Sequence, residues 1–391
     1  MQLIKQNVPV QFTYNVYFTQ DIFSPGNSLF TDILQSDSDS AGKKALFIID
    51  DGLLNHHRDL IDKIKAYLSA HNNFIDLVCD PVVVPGGEQV KNDPCFIEHI
   101  HRAVNEGKVD RHSYIIAIGG GAVLDMAGYA ASTAHRGIRL IRVPTTVLSQ
   151  NDSGIGVKNG INAFGKKNFV GTFSPPFAVI NDYEFLISLE ERDWKAGISE
   201  ALKVALLKDA DFFRFLEEST ELLVNRDQEA MQQLVYRCTE LHLEHIATSG
   251  DPFEMGSSRP LDFGHWSAHK LEQLSGYKLR HGEAVAVGLA LDCTYSFLSG
   301  MLSRNDWQRV LQLIQNSGLD LFVPELNQNT DDAADPESIF HGLEEFREHL
   351  GGKLTIMLLE KIGKGIEVHT VDYSLYKEAI NLLKSFHKQP V

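Results

Sequence analysis

Apolar and polar residues follow two different rhythms along the chain. Val10, Phe12, Tyr14, Val16 and Phe18 alternate with more polar neighbours, which predicts an edge strand or hairpin arm over 10–18. Short apolar runs at 44–49, 115–118 and 139–143 have the length of buried strands, and 74–84 is strand-like as well. Helical spacing at 55–71 and 96–105 falls between them. Strand and helix alternating in this way predict a parallel α/β sheet over 1–185. From residue 190 onward helical periodicity takes over, at 196–207, 212–223, 229–248, 266–274, 283–298, 306–317 and 375–386, with only 353–359 reading as a strand. The expected organisation is a Rossmann-like α/β domain over 1–185 followed by a mainly α-helical domain over 186–391.

Composition narrows the possibilities. At 391 residues, 43% hydrophobic and 23% charged, the chain suits two globular domains. A net charge of −16 argues against a nucleic-acid partner. Four scattered cysteines (Cys79, Cys95, Cys238 and Cys293) form neither a metal spacing nor a disulfide framework, so a cytoplasmic protein is expected. No long apolar stretch suggests a leader or a membrane span.

Because the protein is acidic, a local gathering of cations carries information. The apolar run 115–118 leads into Gly119, Gly120 and Gly121 and then an apolar helical segment bearing Asp125. Glycines between a strand and a helix N-terminus make an anion cradle of the kind that holds a diphosphate. Asp152, Lys158, Asn162, Lys167 and Asn168 follow in a Gly-rich stretch expected as a loop, a composition suited to a phosphorylated ligand as well as to a solvated turn. Asp50 and Asp51 close the first buried strand, where an acid meets ribose hydroxyls or caps a helix. Glu88 and Lys91 lie one helical turn apart in PGGEQVK.

The helical half carries a second set. Glu200 and Lys203 share a helix face, as an ion pair or as part of a site. His265 and His269, four apart, point the same way; they suit one metal, a metal and a substrate, or a buried structural pair. His281 precedes a glycine and an apolar helix. One Glu and two His form a catalytic zinc set that leaves positions open.

The stretches GGGAVLDMAGYAAS, RGIRLIRVPTTVLSQNDSGIGVKNGIN, GKKNFVG, AGISEALK, GHWSAHKLE and HGEAVAVGL together resemble the sugar-phosphate cyclases, the 3-dehydroquinate synthase-like family, over about 44–363. The resemblance implies an NAD-binding domain, a helical domain holding a divalent metal (Zn2+ or Co2+), a sugar-phosphate substrate and a homodimer. It implies Glu200, His265 and His281 as metal ligands. Lys158, Asn168, Lys203 and His269 would hold phosphate and orient the reacting chain, with Asp152 and Lys203 on substrate hydroxyls and Arg136 reaching the phosphate from a neighbouring subunit. Asp50, Glu88, Lys91, Gly119, Gly120, Gly121, Asp125, Thr145, Thr146 and Lys167 would line NAD. The implied reaction oxidises a ketose phosphate transiently, eliminates phosphate, returns the hydride and closes a carbocycle by an intramolecular aldol step.

The chain also departs from the family pattern. A Lys, an Arg and an Asn meet the substrate carboxylate in 3-dehydroquinate synthases; here the Lys is expected at Glu244, the Asn at Asp262 and the Arg, shifted by one, at Arg259. Trp266 follows the metal His where Thr is usual, and Arg347-Glu348-His349 replaces an Asp-Lys-Lys. GDPFEMGSSRPLDFGHW and FREHLGG look more like a divergent cyclase group, such as the cyclase-like protein of the ebo operon. These features imply a cyclase that does not use the carboxylated heptulosonate. The alternatives are 3-dehydroquinate synthase itself and a metal-dependent alcohol dehydrogenase of the glycerol dehydrogenase type.

Overall fold

The computed structural model describes residues 3–36, 43–71, 75–256 and 258–387. The chain divides into two compact units, Met1–Thr145 with Gly154–Glu184, and Thr146–Ser153 with Phe185–Val391. The expected boundary at 185 is therefore crossed once more, since residues 146–153 cluster with the helical unit.

In the first unit the apolar runs become the strands β1 (Asn15–Thr19), β2 (Lys43–Asp50), β3 (Ile75–Leu77), β4 (Val82–Val84), β5 (Tyr114–Gly119) and β6 (Arg139–Pro144). The hairpin β7 (Lys158–Ala163) and β8 (Lys166–Phe173) follows, then β9 (Ala178–Asp182). Seven strands form one parallel sheet in the order β1-β9-β6-β5-β2-β3, with β4 also on β2. The stretch read as one strand over 74–84 is two short strands on β2; Phe74 lies outside the described residues. Successive residues of β2 and β5 serve opposite faces. Leu46, Ile48, Ile115 and Ala117 pack under the Cys95–Glu106 and Gly121–Thr133 helices, while Phe47 joins Phe23, Phe30 and Tyr67 on the other side.

The Gly-rich stretch expected as a loop is the antiparallel pair β7–β8. Gly160 and Gly171 face each other across it, and a Cβ on Gly171 would stand 2.6 Å from the Asn159 carbonyl oxygen, so glycine lets the two backbones approach.

The second unit is helical apart from the hairpin β10 (Ile356–Lys361) and β11 (Lys364–Val368); β11 was not anticipated. At its centre the His281–Leu298 helix buries almost every residue from Gly282 to Ser296, as a helix apolar on all sides must. Two close approaches fix its neighbours. A Cβ on Gly282 would fall 2.1 Å from the Ala196 carbonyl oxygen, and one on Gly288 would fall 2.1 Å from the Gly264 carbonyl oxygen. The Glu191–Lys208 and His265–Leu274 helices are thereby drawn onto the central helix.

Asp292 completes the arrangement. Its fully buried carboxylate accepts from Trp266 Nε1 (3.0 Å), Tyr376 Oη (2.9 Å) and the Gly264 N–H (3.1 Å). Burial pushes this carboxyl up to about 7, against the lowering effect of those donors. An unfolded Asp titrates near ~3.9. The folded state therefore holds the extra proton in between, and this contribution to stability is full below about pH 4 and is lost as pH rises to about 7. Asp292→Asn cannot ionise. The stability of the unaltered protein relative to Asp292→Asn, from urea unfolding, should fall by about 3 kcal/mol between about pH 5 and pH 8. A gap that does not change with pH would contradict this.

Candidate active site

Three helix segments bring Glu200, His265 and His281 together. Glu200 lies in the middle of the Glu191–Lys208 helix, where every residue from Ala196 to Leu207 is buried. His265 and His281 each open a helix, at the ends pinned by Gly264 and Gly282. His281 Nε2 is 3.4 Å and His265 Nε2 3.7 Å from Glu200 Oε1, and the three ligand atoms lie within 4.8 Å of one another. The opposite ring nitrogens are engaged: His265 Nδ1 with the Phe263 carbonyl oxygen (3.0 Å), His281 Nδ1 with Glu272 Oε2 (3.2 Å). His269 stacks on His281 with ring centroids 5.8 Å apart.

Charge is concentrated beside this cluster. Lys203 Nζ stands 2.6 Å from Glu200 Oε2 and 3.2 Å from Asp152 Oδ2. Asp152, in the Ser149–Ser153 turn, is also met by His242 Nδ1, 2.7 Å from its Oδ1. Burial alone would raise Asp152, but the Lys203 ammonium and His242 hold it well below the usual carboxylate range. Glu200 is lowered as well: Lys203 outweighs burial and the Asp152 charge. Burial works against Lys203, yet its two carboxylates raise it. The histidines diverge. Burial and Lys203 lower His265, whereas Glu272 and Glu200 overcome burial and push His281 up to about 9.

The donor set fits a divalent metal. Both Glu200 carboxylate oxygens are buried without a hydrogen bond of ordinary geometry, and both imidazoles turn Nε2 toward them with Nδ1 held from behind. His269, Glu272 and His281 form a second group of the same kind, which shares His281 with the first.

Most of the remaining predicted residues lie in the first unit. The sheet order reverses between β2 and β5, where an open parallel sheet leaves a crevice at its carboxyl edge. Asp50 closes β2 and caps the next helix through Gly52 N (2.9 Å); Gly119 closes β5, with its α-carbon side against Asp50 and Val123. The Gly121–Thr133 helix starts there with Gly120 as its cap, and Thr145 N donates to the Gly119 carbonyl oxygen (3.1 Å). Lys91 is buried, 3.0 Å from Asp125 Oδ2 and 3.7 Å from Glu88 Oε1, and donates to Asn168 Oδ1. Asn162 links Glu88 (2.9 Å) to the Asn168 N–H (2.9 Å), and Lys167 Nζ is 3.9 Å from Glu88. Lys158 is exposed, and Arg136 stands on an exposed turn with φ +64°. Thr146 pairs with Ser149 Oγ (2.8 Å) in the second unit.

One expected placement changes. Glu244 is exposed, and its charge acts on Lys208. It lies on the outer side of the Gln228–Thr248 helix, whereas His242 on the inner side reaches Asp152. Helix phase, with Cys238 buried one turn before His242, was the signal available for that residue. Glu272 continues the His265, His269 face of its helix and was legible in the same way. Arg142 gave no such signal. Fully buried in β6, it donates to the Gly154, Gly156 and Lys158 carbonyl oxygens (3.1, 3.0 and 2.7 Å) and to Asn159 Oδ1 (2.6 Å), anchoring the segment that carries Lys158.

Comparison with known proteins agrees with this architecture. Residues 81–196 match the family model of the 3-dehydroquinate synthase N-terminal region, and 197–335 match that of its C-terminal region. The 3-dehydroquinate synthase of Nitrosospira multiformis is 36% identical over 305 residues, covering 78% of this chain and 79% of the relative. That of Halorhodospira halophila is 34% identical over 332 residues, covering 82% and 89%. Among solved structures, ValA, a 2-epi-5-epi-valiolone synthase from Streptomyces hygroscopicus subsp. jinggangensis with NAD+ and Zn2+ bound, has a TM-score of 0.85 at 26% identity and covers 98% of this chain and 99% of its own. A 2-deoxy-scyllo-inosose synthase complexed with carbaglucose-6-phosphate, NAD+ and Co2+ gives a TM-score of 0.74 at 24% identity, covering 93% and 95%. On this evidence the chain belongs to the 3-dehydroquinate synthase family of sugar-phosphate cyclases.

Proposed function

We propose that this enzyme converts a ketose phosphate without a carboxylate into a carbocycle, eliminating phosphate with no net change in NAD. The observation that carries the substrate reading is the use of Arg259. Its Nε lies 3.1 Å from Glu254 Oε2, and its guanidinium also donates to the Glu254 and Ser258 carbonyl oxygens (2.8 and 3.0 Å) and to that of Gly256. An arginine so engaged by its own loop is poorly available to a substrate carboxylate. Asp262 reinforces this, because its charge acts on both Lys203 and His265. A second acid a few ångströms away opposes a carboxylated substrate by an amount on the order of 1–4 kcal/mol.

In this reading Glu200, His265 and His281 hold one Zn2+ or Co2+. NAD lies along Gly119–Gly121 with Asp50, Glu88, Lys91, Asp125, Thr145, Thr146 and Lys167 around it. Bound NAD supplies a hydride acceptor that is regenerated in the cycle, and the metal supplies a Lewis acid for substrate oxygens. Lys203 and Asp152 hold substrate hydroxyls in one orientation, their charges fixed by each other. Lys158, Asn168 and His269 bind the phosphate, with Arg136 from a second subunit of a homodimer. Among the described residues no helix is long and apolar enough to cross a membrane.

The 34–36% identity to the two 3-dehydroquinate synthases named above favours a second reading, that activity itself. Glycerol dehydrogenase from Schizosaccharomyces pombe shares the fold at 17% identity with a TM-score of 0.61, which supports fold alone.

Mass spectrometry of products from a panel of heptulose phosphates should reveal a phosphate-free carbocycle from a neutral substrate, formed faster than dehydroquinate from the acidic heptulosonate. Faster dehydroquinate formation would overturn the substrate reading, and net NADH with phosphate retained would favour a dehydrogenase. Asp262→Asn should shift the preference toward the acidic substrate by about ten-fold for each ~1.4 kcal/mol of repulsion removed. Elemental analysis should find one divalent metal per chain. His265→Ala should weaken metal binding by more than the roughly 10–100-fold typical of losing an outer-shell partner, and an undiminished metal content would refute this ligand set.

A further inference from the structure

His242 has no part in the metal set or in the phosphate and NAD groups described above, yet it closes the charged cluster. Its side chain is 12% exposed, and its Nδ1 is fully buried 2.7 Å from Asp152 Oδ1, an ion-pair contact without a hydrogen bond of ordinary geometry. The exposure that the side chain keeps therefore lies away from Nδ1. Asp152 is held in turn from its other oxygen by Lys203 Nζ at 3.2 Å, so the carboxylate facing the imidazole is fixed in place. His265 and His281 turn to Glu200, whereas His242 turns to Asp152. A carboxylate on Nδ1 selects the tautomer that carries its proton there and leaves a lone pair on Nε2, the arrangement that makes an imidazole a proton acceptor in Asp–His pairs.

We propose that Asp152 and His242 form a proton-transfer dyad in which His242 Nε2 exchanges a proton with a substrate hydroxyl. This rests on the cyclase reading for the identity of the substrate. In the forward step the substrate O–H bond breaks and an N–H bond forms on Nε2, leaving the electron pair on the substrate oxygen. Asp152 stabilises the imidazolium through Nδ1–H. The proton returns to a substrate oxygen later in the cycle, so the step is redox-neutral and needs no co-reactant.

His242→Asn separates this role from simple positioning. The Asn amide can place a donor where Nδ1 stands, toward Asp152, but has nothing at the position of Nε2. Turnover is compared on whichever substrate the unaltered protein processes fastest, cyclised or merely oxidised, so failure of the cyclase reading leaves the test intact. His242→Asn should retain metal content and NAD affinity, keep KM within about three-fold, and lose about 100-fold or more in kcat. His242→Ala should lose as much and recover at least several-fold with added imidazole, a response that a structural role would not give. If His242→Asn fails to fold, the imidazole response of His242→Ala decides alone. Diethyl pyrocarbonate should modify His242 in the NAD- and metal-loaded protein. Wild-type kcat in His242→Asn, no imidazole response in His242→Ala, or an unmodified His242 would each overturn the dyad.

Discussion

The second unit depends on one buried ammonium. Glu200 is fully buried, and a lone carboxylate removed from water loses several kcal/mol of hydration that only a paired charge can offset. Lys203, one helical turn further on and itself buried, stands 2.6 Å from Glu200 and 3.2 Å from Asp152. It thereby neutralises two acids that would otherwise repel each other. The Ser149–Ser153 turn must bring Asp152 to this cation, which accounts for the return of residues 146–153 to the helical unit. His242 then meets the outer oxygen of Asp152, and the histidine pair meets Glu200 from the other side.

The two histidines respond to this field in opposite ways. His265 faces Lys203 in a buried place and is driven toward its neutral form. His281, between Glu272 and Glu200, keeps a proton up to about pH 9. That proton supplies positive charge beside two buried carboxylates, and a metal at the proposed ligand set would have to displace it. The glycine contacts that set the helices are equally strict. With the Gly264 and Gly288 backbones touching and Asp292 tying Gly264 and Trp266 to the central helix, His265 has little room to move.

Much of this was legible in the sequence because periodicity and chemistry coincided. The buried runs of β2 and β5 and the glycine turn between strand and helix left little choice of fold, and His265, His269 and Glu272 share one helix face. What escaped depended on pairing between distant segments. The Gly-rich stretch folds as a hairpin because Gly160 and Gly171 come opposite each other, a matter of register rather than composition. Glu244 looked functional by position, but helix phase turns it to solvent and turns His242 inward. Arg142 reads as an ordinary strand cation until its three carbonyl partners are in place. The proposed substrate preference rests on the loop partners of Arg259, which residue identity alone does not determine.

The most direct test of the account is an anomalous-difference map from crystals of the Co2+-loaded protein. One peak should lie about 2.0–2.2 Å from a Glu200 carboxylate oxygen and from the Nε2 atoms of His265 and His281, with Lys203 still on Glu200 and Asp152. A peak held instead by His269, Glu272 and His281, leaving Glu200 paired only with Lys203, would contradict it.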